Sequence, residues 1–84
     1  MFSYLGVVDV HCDDGVSDAE RAKIEIWVRA HESDDIDTVV VGARAVAVHG
    51  FANIGGAAGT AGRRGDVVGE LDDALAMMQG LGTT

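Results

Sequence analysis

Eighty-four residues suffice for one small domain but not for two cores, and a domain of this size buries only about 60% of its unfolded surface, leaving room for support from a partner or ligand. Fourteen acidic side chains against six basic ones give a formal net charge of −8, which repels a free duplex or an anionic membrane and favours basic partners. The single cysteine, Cys12, excludes an intrachain disulfide, and the N-terminus pairs no basic region with a long apolar core, so a cytoplasmic protein is expected.

The chain opens with aromatic and β-branched residues and few helix formers, which predicts a strand over about 4–11. Alternation sets Tyr4, Val8 and Val10 on one face and Leu5, Val7 and Asp9 on the other. Asp13-Asp14-Gly15 then reads as a turn, with Gly15 free to take a positive φ. Ser17-Asp18-Ala19-Glu20 fits a capping box and predicts a helix over about 17–32. On its wheel Ala19, Ala22, Ile26 and Ala30 form one apolar stripe, and Ile24, Trp27, Val28 and His31 an adjoining one. Asp18, Arg21, Glu25, Arg29 and Glu32 gather opposite, with Arg21–Glu25 and Glu25–Arg29 at i,i+4 spacing.

A short acidic loop leads into residues 36–51, a valine-rich run whose formal charges are Asp37 and Arg44. Left in water this run would drive association, so the flanking amphipathic segments are its natural cover. Its β-branched content predicts two strands, about 37–41 and 45–51, joined by a turn or bulge at Gly42-Ala43-Arg44. Residues 53–65 are rich in glycine and alanine, and the entropy lost on ordering them predicts a flexible loop. The last element is a helix over about 66–79, with Val67, Val68, Leu71, Ala74, Leu75 and Met78 on one stripe. Asp66 would cap its start and Gly80 its end, and Met77 falls off the stripe. The expected fold is therefore α+β, a short mainly antiparallel sheet packed against two amphipathic helices in a single domain.

The constellations that resemble chemical sites are weak. His11-Cys12-Asp13-Asp14 suggests a metal cluster, but neighbours on a strand point to opposite faces, so His11 and Cys12 do not converge. Cys12 as a nucleophile requires His31 or His49 as its base, and an inert thiol is the simpler reading. The glycines before the last helix invite comparison with a phosphate-binding loop, and Arg63-Arg64 suit an anion. No Gly-Lys-Ser/Thr follows, however, the dinucleotide fingerprint is absent, and the helix opens with Asp66. No catalytic residue, metal or cofactor is assigned, and the chain is read as a non-enzyme.

What remains is carboxylate. Asp13, Asp14, Glu32, Asp34, Asp35, Asp37, Glu70, Asp72 and Asp73 are the candidate partner-binding residues, because acids gathered on one side create a field that steers and holds a basic protein surface. The leading expectation is a small acidic inhibitor that blocks a basic nucleic-acid-binding partner. The analogy is to some phage-encoded anti-CRISPR proteins, in size, charge and the lack of a catalytic constellation alone. The alternatives are a homo-oligomeric accessory subunit that closes the valine-rich segment by self-association, most simply as a homodimer, and a small anion- or metal-binding domain. A GC-rich or salt-adapted composition would also generate an acid-rich, lysine-poor surface with no partner at all.

Overall fold

The computed structural model describes residues 8–34, 36–50 and 58–82, which form an α+β unit of four strands and two helices. In chain order these are β1 (Asp9–Cys12), α1 (Asp18–Ala30), a single 3-10 turn (Glu32–Asp34), β2 (Ile36–Val41), β3 (Ala45–Gly50), β4 (Ala58–Gly62) and α2 (Val67–Gly82). The strands lie side by side in sequence order, β1 parallel to β2 and the other two pairs antiparallel. The parallel pair follows from its connection, since α1 returns the chain from the end of β1 to the start of β2. The expected mainly antiparallel sheet with two helices is what forms.

Register assigns the two faces. Val10, Val39, Val48 and Gly59 stand in one row, and Cys12, Val41, Val46 and Ala61 in the next. Both rows face the helices, where Val39, Val41, Val46 and Val48 share one core with Ile24, Trp27 and Val28 of α1 and Leu71, Ala74, Leu75 and Met78 of α2. Each such valine, fully buried, contributes about 1.5–3 kcal/mol of transfer free energy. A bulge lies between Ile36 and Thr38: Ile36 pairs with Gly50 and Thr38 with His49, leaving Asp37 as the extra residue. That one-residue shift turns Ile36 into the core, where it is 1% exposed, although strict alternation would place it with Thr38 and Val40 on the other face.

The opposite face carries Asp9 and His11 of β1, Thr38 and Val40 of β2, Ala45, Ala47 and His49 of β3, and Ala58, Thr60 and Gly62 of β4. Among the described residues no helix packs on it. The result is a flat body of 34 × 33 × 18 Å.

Three expectations need correction. The glycine-rich stretch 53–65 is not a loop throughout, because Ala58–Gly62 is strand β4, paired along its length with β3; residues 53–57 lie outside the described part. The physical reason is α2, which lies directly on β4. A Cβ built at Gly59 would come within 1.9 Å of the Ala74 carbonyl oxygen and 2.5 Å of the Met78 amide nitrogen, so glycine is what lets helix and strand approach. In α1 only the stripe of Ile24, Trp27 and Val28 is buried, while Ala19, Ala22, Ile26 and Ala30 face outward. The turn after β1 is closed by Asp13, whose carbonyl accepts from the Val16 amide at 3.0 Å and whose carboxylate accepts from Gly15 at 3.3 Å; the positive φ falls on Gly65 instead.

Elsewhere local signals hold. Ser17 caps α1, its hydroxyl accepting from the Glu20 amide at 3.2 Å. The hairpin closes around Ala43 and Arg44, with the Gly42 amide donating to the Ala45 carbonyl, which explains an arginine inside so apolar a run. The buried stripe of α2 is the expected one, with Val68 only half-buried and Met77 exposed; the helix runs past Gly80 to Gly82. Of the predicted first strand, residues 4–7 lie outside the described part, as does Phe51. No helix among the described residues is long and apolar enough to cross a membrane.

Candidate functional site

The strand directions sort the acidic clusters. The loops after β1 and β4, the β2–β3 turn and both helix N-termini meet at one end of the sheet, as the bonds from Asp13 N to Val41 O and from Arg63 N to Arg44 O show. The C-terminus of α1 and the 3-10 turn lie at the other. Asp13 and Asp14, both exposed, are therefore separated from Glu32 and Asp34 by the length of α1. Asp37 is half-buried in the bulge, and Asp35 lies outside the described residues.

Of the acids of α2, Asp72 meets α1 at Trp27 and His31. The Trp27 indole N–H donates to Asp72 Oδ1 at 2.7 Å, tying α1 to α2. The His31 ring stacks on the indole at 4.2 Å between centroids, and its Nδ1 lies 2.8 Å from the Trp27 carbonyl. A carbonyl only accepts, so Nδ1 carries the proton and Nε2 is left facing Asp72 Oδ1 at 3.9 Å. The 3-10 turn of Glu32–Asp34 starts directly after His31, whose carbonyl accepts from the Asp34 amide. Beside this junction runs a groove of about 280 Å³ between the helices, lined by Lys23, Ile26, Trp27, Ala30, His31 and Val68. Its walls are apolar, and Ile26 stands 70% exposed on the rim. An apolar hollow with Lys23 on its wall and the Asp72 carboxylate bonded to its Trp27 can hold an apolar anchor, with a polar neighbour beside it.

Glu70, expected among the partner-binding residues, is engaged within the chain instead. Its side chain is buried at 6% exposure and accepts from Arg63 Nη1 at 2.7 Å, from the Gly65 amide at 2.9 Å and from the Arg64 amide. Burial pushes its carboxyl up, but the Arg64 amide, the Arg63 guanidinium and the Gly65 amide outweigh burial, and the group is held below its ordinary value. Arg63 reaches across to Glu20 as well, at 2.9 Å, so one guanidinium joins the first turns of both helices. The hydrogen bonds with Glu20 and Glu70 raise the Arg63 pKa despite its burial. Glu20, expected to reach back to its own cap, is drawn to Arg63 instead.

The same geometry engages two of the features that suggested an anion site in the glycine-rich segment. Arg63 is already neutralised by two carboxylates, and the amides before α2 that would meet a phosphate are taken by Glu70. His11 and Cys12 do point to opposite faces of the sheet. Cys12 borders a second hollow of about 240 Å³ with Val10, Arg21 and Glu25, with His11 and His49 on the far face. Among the described residues no three His, Cys, Asp or Glu side chains converge where a metal ion could sit.

Sequence reasoning missed the pairing of Arg63 with Glu20 and Glu70, and the junction of Trp27, His31 and Asp72. The i,i+4 spacing of Trp27 and His31 signals the stack, but nothing local signals a partner 45 residues away. Fold and site together define a small two-layer α+β domain with an apolar groove in its helical layer, beside the Trp27–Asp72 bond. Comparison with protein-family models, curated proteins and solved structures finds no match to this chain.

Proposed function

We propose that this protein is a non-enzymatic interaction module that holds a basic, apolar-anchored segment of a partner protein in the groove between α1 and α2. Where that segment belongs to a nucleic-acid-binding surface, the bound module would act as its inhibitor. The observation that carries the reading is the apolar groove beside Trp27 and His31, where Asp72 ties α1 to α2 and the acidic 3-10 turn begins at the next residue. Apolar burial supplies affinity, and the carboxylates, in a chain of net charge −8, supply steering and orientation. Separation of Asp13 and Asp14 from this junction favours a short segment over a mimic that runs the length of a duplex.

The test is titration with a synthetic peptide in which one leucine or tryptophan is flanked by lysines and arginines, followed by NMR at the Trp27 indole and the Ile26 and Val68 methyls. Those signals should shift, and affinity should fall steeply as salt rises. Asp72→Asn should weaken binding several-fold, while Asp14→Asn at the opposite end should change it little. Binding that ignores salt, or shifts confined to the sheet, would reject the proposal.

A further inference from the structure

We propose that the sheet face on which no helix packs among the described residues is a homodimer interface, against which a second copy of this chain packs face to face. An antiparallel sheet with one solvated face carries polar and charged residues on that side, alternating with its buried ones. Here the ten outward positions of β1 to β4 hold a single carboxylate, Asp9 at the edge, and no lysine or arginine, in a chain with twenty such charged residues. Alanine, threonine and glycine fill most of the rest around Val40, which is 36% exposed. Depletion of charge at the centre of a patch is the compositional mark of an interface.

Charge selects the occupant. A basic partner is drawn to the carboxylates of the helical layer and the loops, and gains nothing on a face that lacks them. Two copies of a −8 chain repel wherever their acidic surfaces approach, and this face is where they can meet with few carboxylates. A flat face is also self-complementary about a two-fold axis, and sheets stack at about 10 Å with their strands aligned or crossed. The strands are four to six residues long, so at a spacing of about 4.8 Å the face is roughly 20 Å on a side, smaller than the roughly 800 Å² per partner of a standard interface, and the dimer it supports is a weak one. Dimerisation in this mode leaves the α1–α2 grooves on opposite outer sides, so one dimer can engage two segments. The inference stands on the sheet alone and does not rest on what the groove binds.

Sedimentation velocity tests it, with the chain from about 10 µM to about 1 mM, a range that reaches a small, weak interface. The expected mass at the upper end is twice the 8.7 kDa of the chain. Val40→Lys and Thr60→Lys, two exposed positions in one row across this face, should each return the mass to that of a monomer with far-UV circular dichroism unchanged. Ile26→Lys on the helical side should remain dimeric. A monomer at every concentration would overturn the inference. So would a dimer that survives both lysine variants, which would mark edge-to-edge pairing, or one abolished by Ile26→Lys alone, which would mark helix-to-helix packing.

Discussion

Replacing Gly59 by alanine adds one methyl group to β4, and on local grounds it should help. Gly59 lacks a positive φ, and Gly→Ala at a compatible backbone position stabilises by about 0.4–1 kcal/mol by restricting the unfolded chain. The tertiary structure reverses the sign. The new Cβ would stand 1.9 Å from Ala74 O and 2.5 Å from Met78 N, both backbone atoms of α2, so no side-chain rotation relieves it. The helix must retreat by about 1.5 Å to restore the 3.4 Å of ordinary contact. A gap of about 0.5–1 Å already forfeits a quarter to a half of a dispersion contact, and α2 contributes Val67, Leu71, Ala74, Leu75 and Met78 to the core. The net cost should be about 2–3 kcal/mol, at the upper end of overpacking, against a total of about 4–12 kcal/mol for a chain this long. In urea, with a slope of about 1 kcal/mol/M, the midpoint should fall by about 2–3 M. Gly62→Ala, in the same strand with no atom within 4 Å of the added methyl, is the matched control and should stay within about 0.5 kcal/mol of wild type. If the two variants prove equally stable, the close approach of α2 to β4 is wrong.

Arg63→Met should cost about 3–5 kcal/mol in a thermal or urea melt, because it leaves Glu70 buried with no counter-charge; Arg63→Lys should recover only part, since an ammonium cannot fork between Glu20 and Glu70. Glu70 carries a lowered pKa, so its contribution is complete above the ordinary carboxyl value of 4.5 and disappears as pH falls through the lower folded value. The stability difference between wild type and Glu70→Gln should accordingly be constant from neutral pH to about 4.5 and close below it; a gap that persists into strong acid would contradict the sign. Asp72→Asn retains an oxygen to accept from Trp27 Nε1, so it should cost at most about 1 kcal/mol, whereas Asp72→Ala should cost about 1–2 kcal/mol and alter the tryptophan fluorescence.

Interactions that span a few residues were legible in the chain itself. Ser17 announced the start of α1, the stripe from Val67 to Met78 announced the buried side of α2, and the β-branched run broken at Gly42-Ala43-Arg44 announced two strands and their turn. Such signals are readable because capping, helical periodicity and hairpin closure depend on neighbours in sequence. The acidic excess was legible too, but not its arrangement. Pairing decided the rest. Ala58–Gly62 has poor strand propensity and became β4 because β3 supplied a ladder and α2 needed a surface without side chains at Gly59. Ile36 entered the core through a bulge that no alternation rule anticipates, and Glu70 went from surface acid to buried anchor because Arg63 and two amides were waiting for it. The meeting of Asp72 with Trp27 and His31 is likewise a consequence of how α1 and α2 cross. Which carboxylates are buried and which stay at the surface was therefore decided by contacts between residues far apart in sequence, whose free energies exist only once the chain has folded.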